Sequence, residues 1–249
     1  MSNILTLDNI SLRYHTTNGE TLAVSKLNLA IQQGEFVSIV GPSGCGKSSL
    51  LSIIAGLMEP SLGTVKVYGE IGYMLQKDHL LPWRTIYNNA ILGLEIQDKL
   101  TEEATERVKK LLHQYGLWEF KDHYPHQLSG GMRQRVALIR TLAISPDLLL
   151  LDEPFSALDY QTRLAVADEI GGIIRSEKKT AVLVTHDISE AISLADRVVV
   201  LSNRPATVKN IHDIELSMDT HSSLKAREDK EFSKYFNQIW KELDVHVQK

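Results

Sequence analysis

The chain has 249 residues, 43 % of them apolar and 23 % charged, which is ordinary globular usage: enough to close a sizeable core and too apolar for disorder. Its 27 basic and 31 acidic side chains leave a net charge of −4, against a general nucleic-acid coat with its basic stripe. The single cysteine, Cys45, excludes an internal disulfide and suits a reducing compartment.

The N-terminal stretch MSNILTLDNISLRY has no basic start followed by an unbroken apolar run, so no secretory signal is expected. Ile4, Leu5 and Leu7, then Ile10 and Leu12, read as short strands broken at Asp8-Asn9. His15–Glu20, with Asn18-Gly19 inside it, reads as a turn between strands. Glu35–Val40 is a compact β-rich run that ends at a glycine, and GPSGCGKSSLLSIIAGL (41–57) follows it directly. Thr64–Tyr68 and Ile71–Leu75 predict two more strands.

Residues 101–115 predict an amphipathic helix with Ala104, Val108, Leu111, Leu112 and Tyr115 on one stripe. Leu128–Ala143 is a second helical region, entered through Ser129-Gly130-Gly131. Leu148–Leu151 is a continuous apolar run of the kind buried on both faces of a parallel sheet. A helix through Val166, Ile170, Ile173 and Ile174 follows, then buried strands at Ala181–Thr185 and Val198–Leu201. A last helix over roughly Ser222–Val245 carries Phe232, Phe236, Ile239, Trp240 and Leu243. No apolar run approaches the roughly 18 residues of a membrane span, so a soluble chain is expected. The alternation predicts an α/β fold with a β-rich N-terminal part.

Gly41-Pro42-Ser43-Gly44-Cys45-Gly46-Lys47-Ser48 matches GxxxxGK[ST] between a strand and a helix. A polyphosphate needs several backbone N–H groups pointing inward, and Gly41, Gly44 and Gly46 let the loop curl without side chains in the way. Lys47 is placed to reach the β- and γ-phosphates, and the Ser48 hydroxyl to ligand Mg²⁺. Asp152 and Glu153 end the strand in LLLLDEP (148–154), at the sheet edge where open α/β sheets bind ligands. Asp152 is then placed to hold Mg²⁺, and Glu153 to orient or deprotonate the attacking water. His186 ends another strand on that edge, a donor near the γ-phosphate. His113, His123 and His221 read as surface residues.

These residues resemble the nucleotide-binding subunit of ATP-binding cassette (ABC) transporters. The stretch LSGGMRQRVALIRTLAISPDLLLLDEPFSALD (128–159) joins that family's signature, Leu128–Gln134, to its Walker B strand. Ser156-Ala157-Leu158-Asp159 is similar to the D-loop, Thr185-His186-Asp187 to the switch histidine, Gln76 to the Q-loop glutamine, and Tyr14 to the aromatic that stacks on adenine. The resemblance implies a P-loop NTPase with a parallel core sheet, an N-terminal antiparallel β part and an inserted helical subdomain. The nucleotide-binding core would take residues 1–76 and 146–210, the helical subdomain 77–145, and a C-terminal extension 211–249.

The implied activity is ATP hydrolysis coupled to transport, with Glu153, His186 and Gln76 catalytic. ATP would be held by Tyr14, Gly41, Pro42, Ser43, Gly44, Cys45, Gly46, Lys47, Ser48, Ser49, Gln76 and Asp152, and Mg²⁺ by Ser48, Gln76 and Asp152. Ser129, Gly130, Gly131 and Asp159 would act across a head-to-tail homodimer. The signature serine and glycines open a helix, which is itself an anion-binding arrangement.

Residues 78–95 (DHLLPWRTIYNNAILGLE), Tyr124–Gln127, Leu201–Pro205 and the helix from Arg227 resemble the nitrate/sulfonate/taurine-type importer ATPases. That implies a multi-span permease on the inner face of the cell membrane as direct partner, a substrate-binding protein as indirect one, and no nucleic acid. An exporter subunit and a soluble ABC protein are the alternatives. Leu80, Leu81, Pro82 and Trp83 read either as a groove for a permease helix or as a loop tucked onto the helical subdomain.

Overall fold

The computed structural model describes residues 2–16, 19–156, 158–216 and 223–243. Strands β1 (Asn3–Thr16) and β2 (Gly19–Gln32) pair antiparallel, and β4 (Leu62–Val67) joins the other edge of β1. The expected break at Asp8-Asn9 is not a strand end. Asn9 takes φ 53° and the register with β2 shifts between Leu7 and Ile10, so the chain makes a bulge and continues as one strand. Thr16 pairs with Gly19; the expected turn residue Asn18 lies outside the described residues.

The central sheet runs β5 (Ile71–Met74), β6 (Leu148–Asp152), β7 (Thr180–Val184), β3 (Phe36–Val40), β8 (Arg197–Leu201) and β9 (Val208–Asp213). The first five are parallel and β9 is antiparallel on the edge. The inner strands are buried along their whole length because both sheet faces are covered. Side chains alternate across a strand, so each strand feeds two cores. Leu149, Leu151, Ala181, Leu183, Val198 and Val200 face the larger core, which holds most of the helices. Leu148, Leu150, Val182, Val184, Val199 and Leu201 face a second core shared with β1, β2 and α1 (Lys47–Ile54).

Between β5 and β6 lie α2 (Ile86–Ala90), α3 (Leu92–Ile96), α4 (Glu102–Gln114) and α5 (Gly130–Ala143). On α4, Val108, Leu111 and Leu112 are buried, as the stripe required. Thr85, Thr101 and Ser129 accept hydrogen bonds from backbone amides at the starts of α2, α4 and α5, supplying acceptors that a helix start lacks.

The segment 78–85 is anchored from both sides. Asn89, fully buried, accepts the Leu81 amide at 2.7 Å and donates to the carbonyls of Leu81, Arg84 and Thr85 at 3.0–3.1 Å. From α5, Arg133 pairs with the Asp78 carboxylate at 3.0 Å, and Arg140 donates to the carbonyls of Asp78 and His79 at 2.6 and 2.8 Å.

Beyond β6 come α6 (Tyr160–Ser176) and α7 (Ile188–Leu194). The expected single C-terminal helix is two, α8 (Ser223–Ala226) and α9 (Lys230–Leu243). The Asp229 carboxylate accepts the Glu231 amide at 2.8 Å, a side-chain acceptor that starts a new helix. Ser222 and Val245, the expected limits, lie outside the described residues. No helix among the described residues is long and apolar enough to cross a membrane.

Candidate functional site

The carboxyl ends of β3, β6 and β7 are neighbours in the sheet, and the chain turns there into the phosphate loop, Glu153 and His186. Gly44 and Gly46 take φ 71° and 120°, conformations that side chains disfavour. A Cβ at Gly41 would lie 2.9 Å from Cys45 Sγ and 3.1 Å from Leu201 Cβ, so the loop closes only on a glycine there. Lys47, 7 % exposed, donates through its ammonium to the carbonyls of Gly41 at 2.8 Å and Pro42 at 3.1 Å. Ser48 Oγ donates to Asp152 Oδ1 at 3.1 Å, joining the loop to the acidic strand end. Burial pushes the Asp152 carboxyl up, and the Ser48 hydrogen bond pulls it back. Burial also pushes the Cys45 thiol up, so the lone cysteine is a packed neutral group.

Glu153 is held at φ 44°, an uncommon conformation for a side-chain-bearing residue, with its amide donating to Val184 O at 2.8 Å. Its Oε2 accepts from Gln76 Nε2 at 3.3 Å and lies 3.2 Å from His186 Nδ1. Three residues from three segments, expected separately, therefore meet on one carboxylate oxygen. A cavity of about 560 Å³ opens beside them, lined among others by Tyr14, Ser43, Gly44, Gly46, Lys47, Ser48, Ser49, Glu153 and His186, in the range of small-molecule sites. The Tyr14 hydroxyl is 2.8 Å from Ser49 Oγ, which sets the ring in the cavity wall. Ala23 and Arg204 complete the lining. Neither carries a local sequence signal for this place.

Ser129, Gly130, Gly131 and Asp159 do not line this cavity. The Ser129 and Asp159 side chains accept Met132 and Thr162 amides at the starts of their own helices. The hydrogen bonds at Thr162 hold the exposed Asp159 carboxyl below its usual range. The signature glycines have a packing reason as well. A Cβ at Gly131 would lie 3.1 Å from Thr162 and Val166, and one at Gly130 would lie 3.2 Å from Leu158, so α5 approaches α6 closely. Ala157 of the expected D-loop lies outside the described residues, as does His221.

His113 is exposed and stacks on Trp118 at 4.4 Å. His123 is not the surface residue expected: it is half-buried against the Phe120 ring edge, with a buried Nδ1 that has no hydrogen-bond partner. Leu80 is buried, whereas Trp83 is 72 % exposed. The segment is thus partly tucked into the helical layer and partly free.

Behind His186, the Thr185 hydroxyl donates to the buried Glu190 carboxylate at 2.7 Å, and Arg163 lies 3.8 Å from it. Burial pushes the Glu190 carboxyl up to about 7, with Asp187 adding to the rise while Thr185 and Arg163 oppose it. A carboxyl raised in the fold stabilises it below the ordinary value near 4.5, and that contribution is lost as pH rises through about 7. Glu190→Gln should therefore melt a few degrees above the parent at pH 8, with the gap closing toward pH 5. A gap that does not change with pH would contradict this.

A phosphate loop at the end of one buried strand and an acidic pair at the end of another belong to the P-loop nucleotide-hydrolase fold. The sequence profile described as "ABC transporter" matches residues 24–156. The chain is 47 % identical over 248 residues to the uncharacterized ABC transporter ATP-binding protein YtlC of Bacillus subtilis, covering 96 % of this chain and 95 % of that one. It is 40 % identical over 233 residues to the nitrate import ATP-binding protein NrtD of Synechocystis, covering 89 % and 88 %. A solved structure of the ATP-binding cassette MJ0796, a dimer in a post-hydrolysis state bound to ADP and Pi, matches with TM-score 0.72 at 31 % identity, covering 85 % of this chain and 99 % of that one. The chain belongs to the ABC transporter family, as an ATP-binding subunit that hydrolyses ATP.

Proposed function

We propose that the chain drives an ABC importer for a small anionic or nitrate-, sulfonate- or taurine-like solute, as a head-to-tail pair on the cytoplasmic face of a multi-span permease. The likeness to a protein named for nitrate import supports the solute class, together with the residues 78–95 and 201–205 already compared. The catalytic reading rests on one observation: Gln76 and His186 converge on Glu153 Oε2 beside the phosphate-loop cavity. Residues 1–76 and 146–210 form the nucleotide-binding core in this reading, 77–145 the helical subdomain, and 211–249 an extension.

Lys47 exchanges the Gly41 and Pro42 carbonyls for phosphate oxygens when ATP enters. Ser48 and Asp152 offer paired hard oxygen donors, the donor type Mg²⁺ takes alongside phosphates and water, and Gln76 stands as a third ligand. Bound Mg²⁺ would neutralise charge on the phosphates. Glu153 holds the attacking water and accepts its proton, while His186 and Gln76 fix the carboxylate's orientation. Tyr14 stacks on the base. Ser129, Gly130, Gly131 and Asp159 serve the partner's nucleotide, so ATP forms part of the interface and hydrolysis loosens it.

The permease meets the exposed Trp83 in this reading. Trp83→Ala should cut solute uptake by about tenfold or more, the size of a modest interface anchor, while ATP affinity stays within twofold. Equal loss of both would remove the docking role. The wider test captures tagged Glu153→Gln chain with ATP from detergent-solubilised native membranes and identifies its partners by mass spectrometry. A permease with a substrate-binding protein supports the importer. A permease alone turns the reading to export, and no membrane partner overturns it.

A further inference from the structure

The connection between β8 and β9 brings a guanidinium to the phosphate loop. Ser202 closes this connection on itself: its amide donates to Thr207 O at 3.0 Å, and its Oγ accepts the Thr207 amide at 2.9 Å. The connection is also sewn to β2, where Ala206 N–H donates to Ala23 O at 2.8 Å and Ser25 N–H to Ala206 O at 2.9 Å. Ala206 is buried. Arg204 therefore projects from a fixed support, and both its Nε and Nη2 donate to Gly44 O, at 3.2 and 2.5 Å.

The carbonyl and amide of a trans peptide point in opposite directions. Holding Gly44 O toward Arg204 turns the Cys45 N–H the other way, where it donates to Pro42 O at 3.2 Å. Lys47 Nζ donates to the same carbonyl at 3.1 Å. Two donors suited to an anion thus share one weak local acceptor, and Arg204 fixes the direction of one of them. Gly44, with φ 71° and no side chain to restrain it, is the point at which this peptide would otherwise flip.

We propose that Arg204 is a positioning residue for nucleotide binding: through the Gly44 carbonyl it holds the Cys45 amide facing the site that receives phosphate. The inference rests on the phosphate-loop assignment of Gly41–Ser48. Removal of a charge-assisted hydrogen bond of this kind corresponds to about a tenfold change in equilibrium. Calorimetric titration of Arg204→Ala with ATP should show that loss in affinity, while turnover at saturating ATP stays within about twofold. Arg204→Gln retains N–H donors for Gly44 O without the charge and should recover most of the affinity. In the nucleotide-free chain, Arg204→Ala should speed hydrogen exchange at the Cys45 amide by about tenfold, which bulk charge would not do.

Unchanged affinity in Arg204→Ala, unchanged Cys45 exchange, or an Arg204→Gln chain as weak as Arg204→Ala would each overturn the proposal. Lys47→Ala, titrated in parallel, separates the two levels. If it binds ATP like the parent, the phosphate-loop assignment has failed. If it loses binding while Arg204→Ala does not, only the role of Arg204 has failed.

Discussion

Glu153→Gln should bind ATP within about twofold of the parent, release phosphate about 10²–10⁴-fold more slowly, the range of a positioned base, and accumulate as an ATP-bound pair. Glutamine keeps the length and shape of the side chain, and its carbonyl can still accept from Gln76 and His186, which now meet on Glu153 Oε2. It has no carboxylate to take the water's proton. The backbone at this position is held independently, by the Glu153 amide on Val184 O and by Ser156 Oγ on Glu153 O at 3.0 Å, so the loop should survive the change. Gel filtration with and without ATP, alongside a phosphate-release assay, reads both halves of the expectation. Turnover at the parental rate would place the base elsewhere.

Lys47→Ala is expected to remove productive ATP binding. Two unit charges about 4 Å apart are worth roughly 4 kcal/mol at an effective dielectric of 20, so a loss near a thousandfold is the upper bound. The ammonium has little access to water and is already seated on the carbonyls of Gly41 and Pro42. It therefore enters the complex with its position largely set, at small ordering cost. Removing it also takes that donor from the Gly41 carbonyl and leaves Pro42 O to the Cys45 amide alone, next to the place where further negative charge must go. Titration with a fluorescent ATP analogue measures the loss; affinity within threefold of the parent would refute the assignment.

Much of this was legible because the signals are local. The phosphate loop declares itself by glycine spacing between a strand and a helix, and the buried strands by unbroken apolar runs such as Leu148–Leu151. Asp152, Glu153 and His186 follow from standing directly after such runs. The cluster they make with Gln76 is a product of strand order, which brings β6 and β7 side by side.

What escaped has physical reasons. β9 (VKNIHD) is a largely exposed edge strand, so it lacks the apolar alternation of a half-buried one. Helices α2, α3 and α7 span five to seven residues, too short for a 3.6-residue period to show. Arg204 reaches a carbonyl 160 positions away, and no pattern around an arginine announces that. His123 reads as a surface residue from sequence alone; its half-burial follows from the contact with the Phe120 ring, which no local pattern shows.

The ties from α5 to the Asp78–His79 turn reduce the number of independent moving parts. Arg140 is desolvated enough that burial pulls its basicity down, so parting it from those carbonyls would strand a guanidinium and two acceptors together. Arg133, within the signature itself, adds a tie to the carboxylate of Asp78, two residues beyond Gln76. The turn and the helix are tied together, so in the proposed pair a shift of Gln76 at one nucleotide would carry with it Ser129, offered to the partner's. The two nucleotide sites of the proposed pair would then share a single mechanical coordinate.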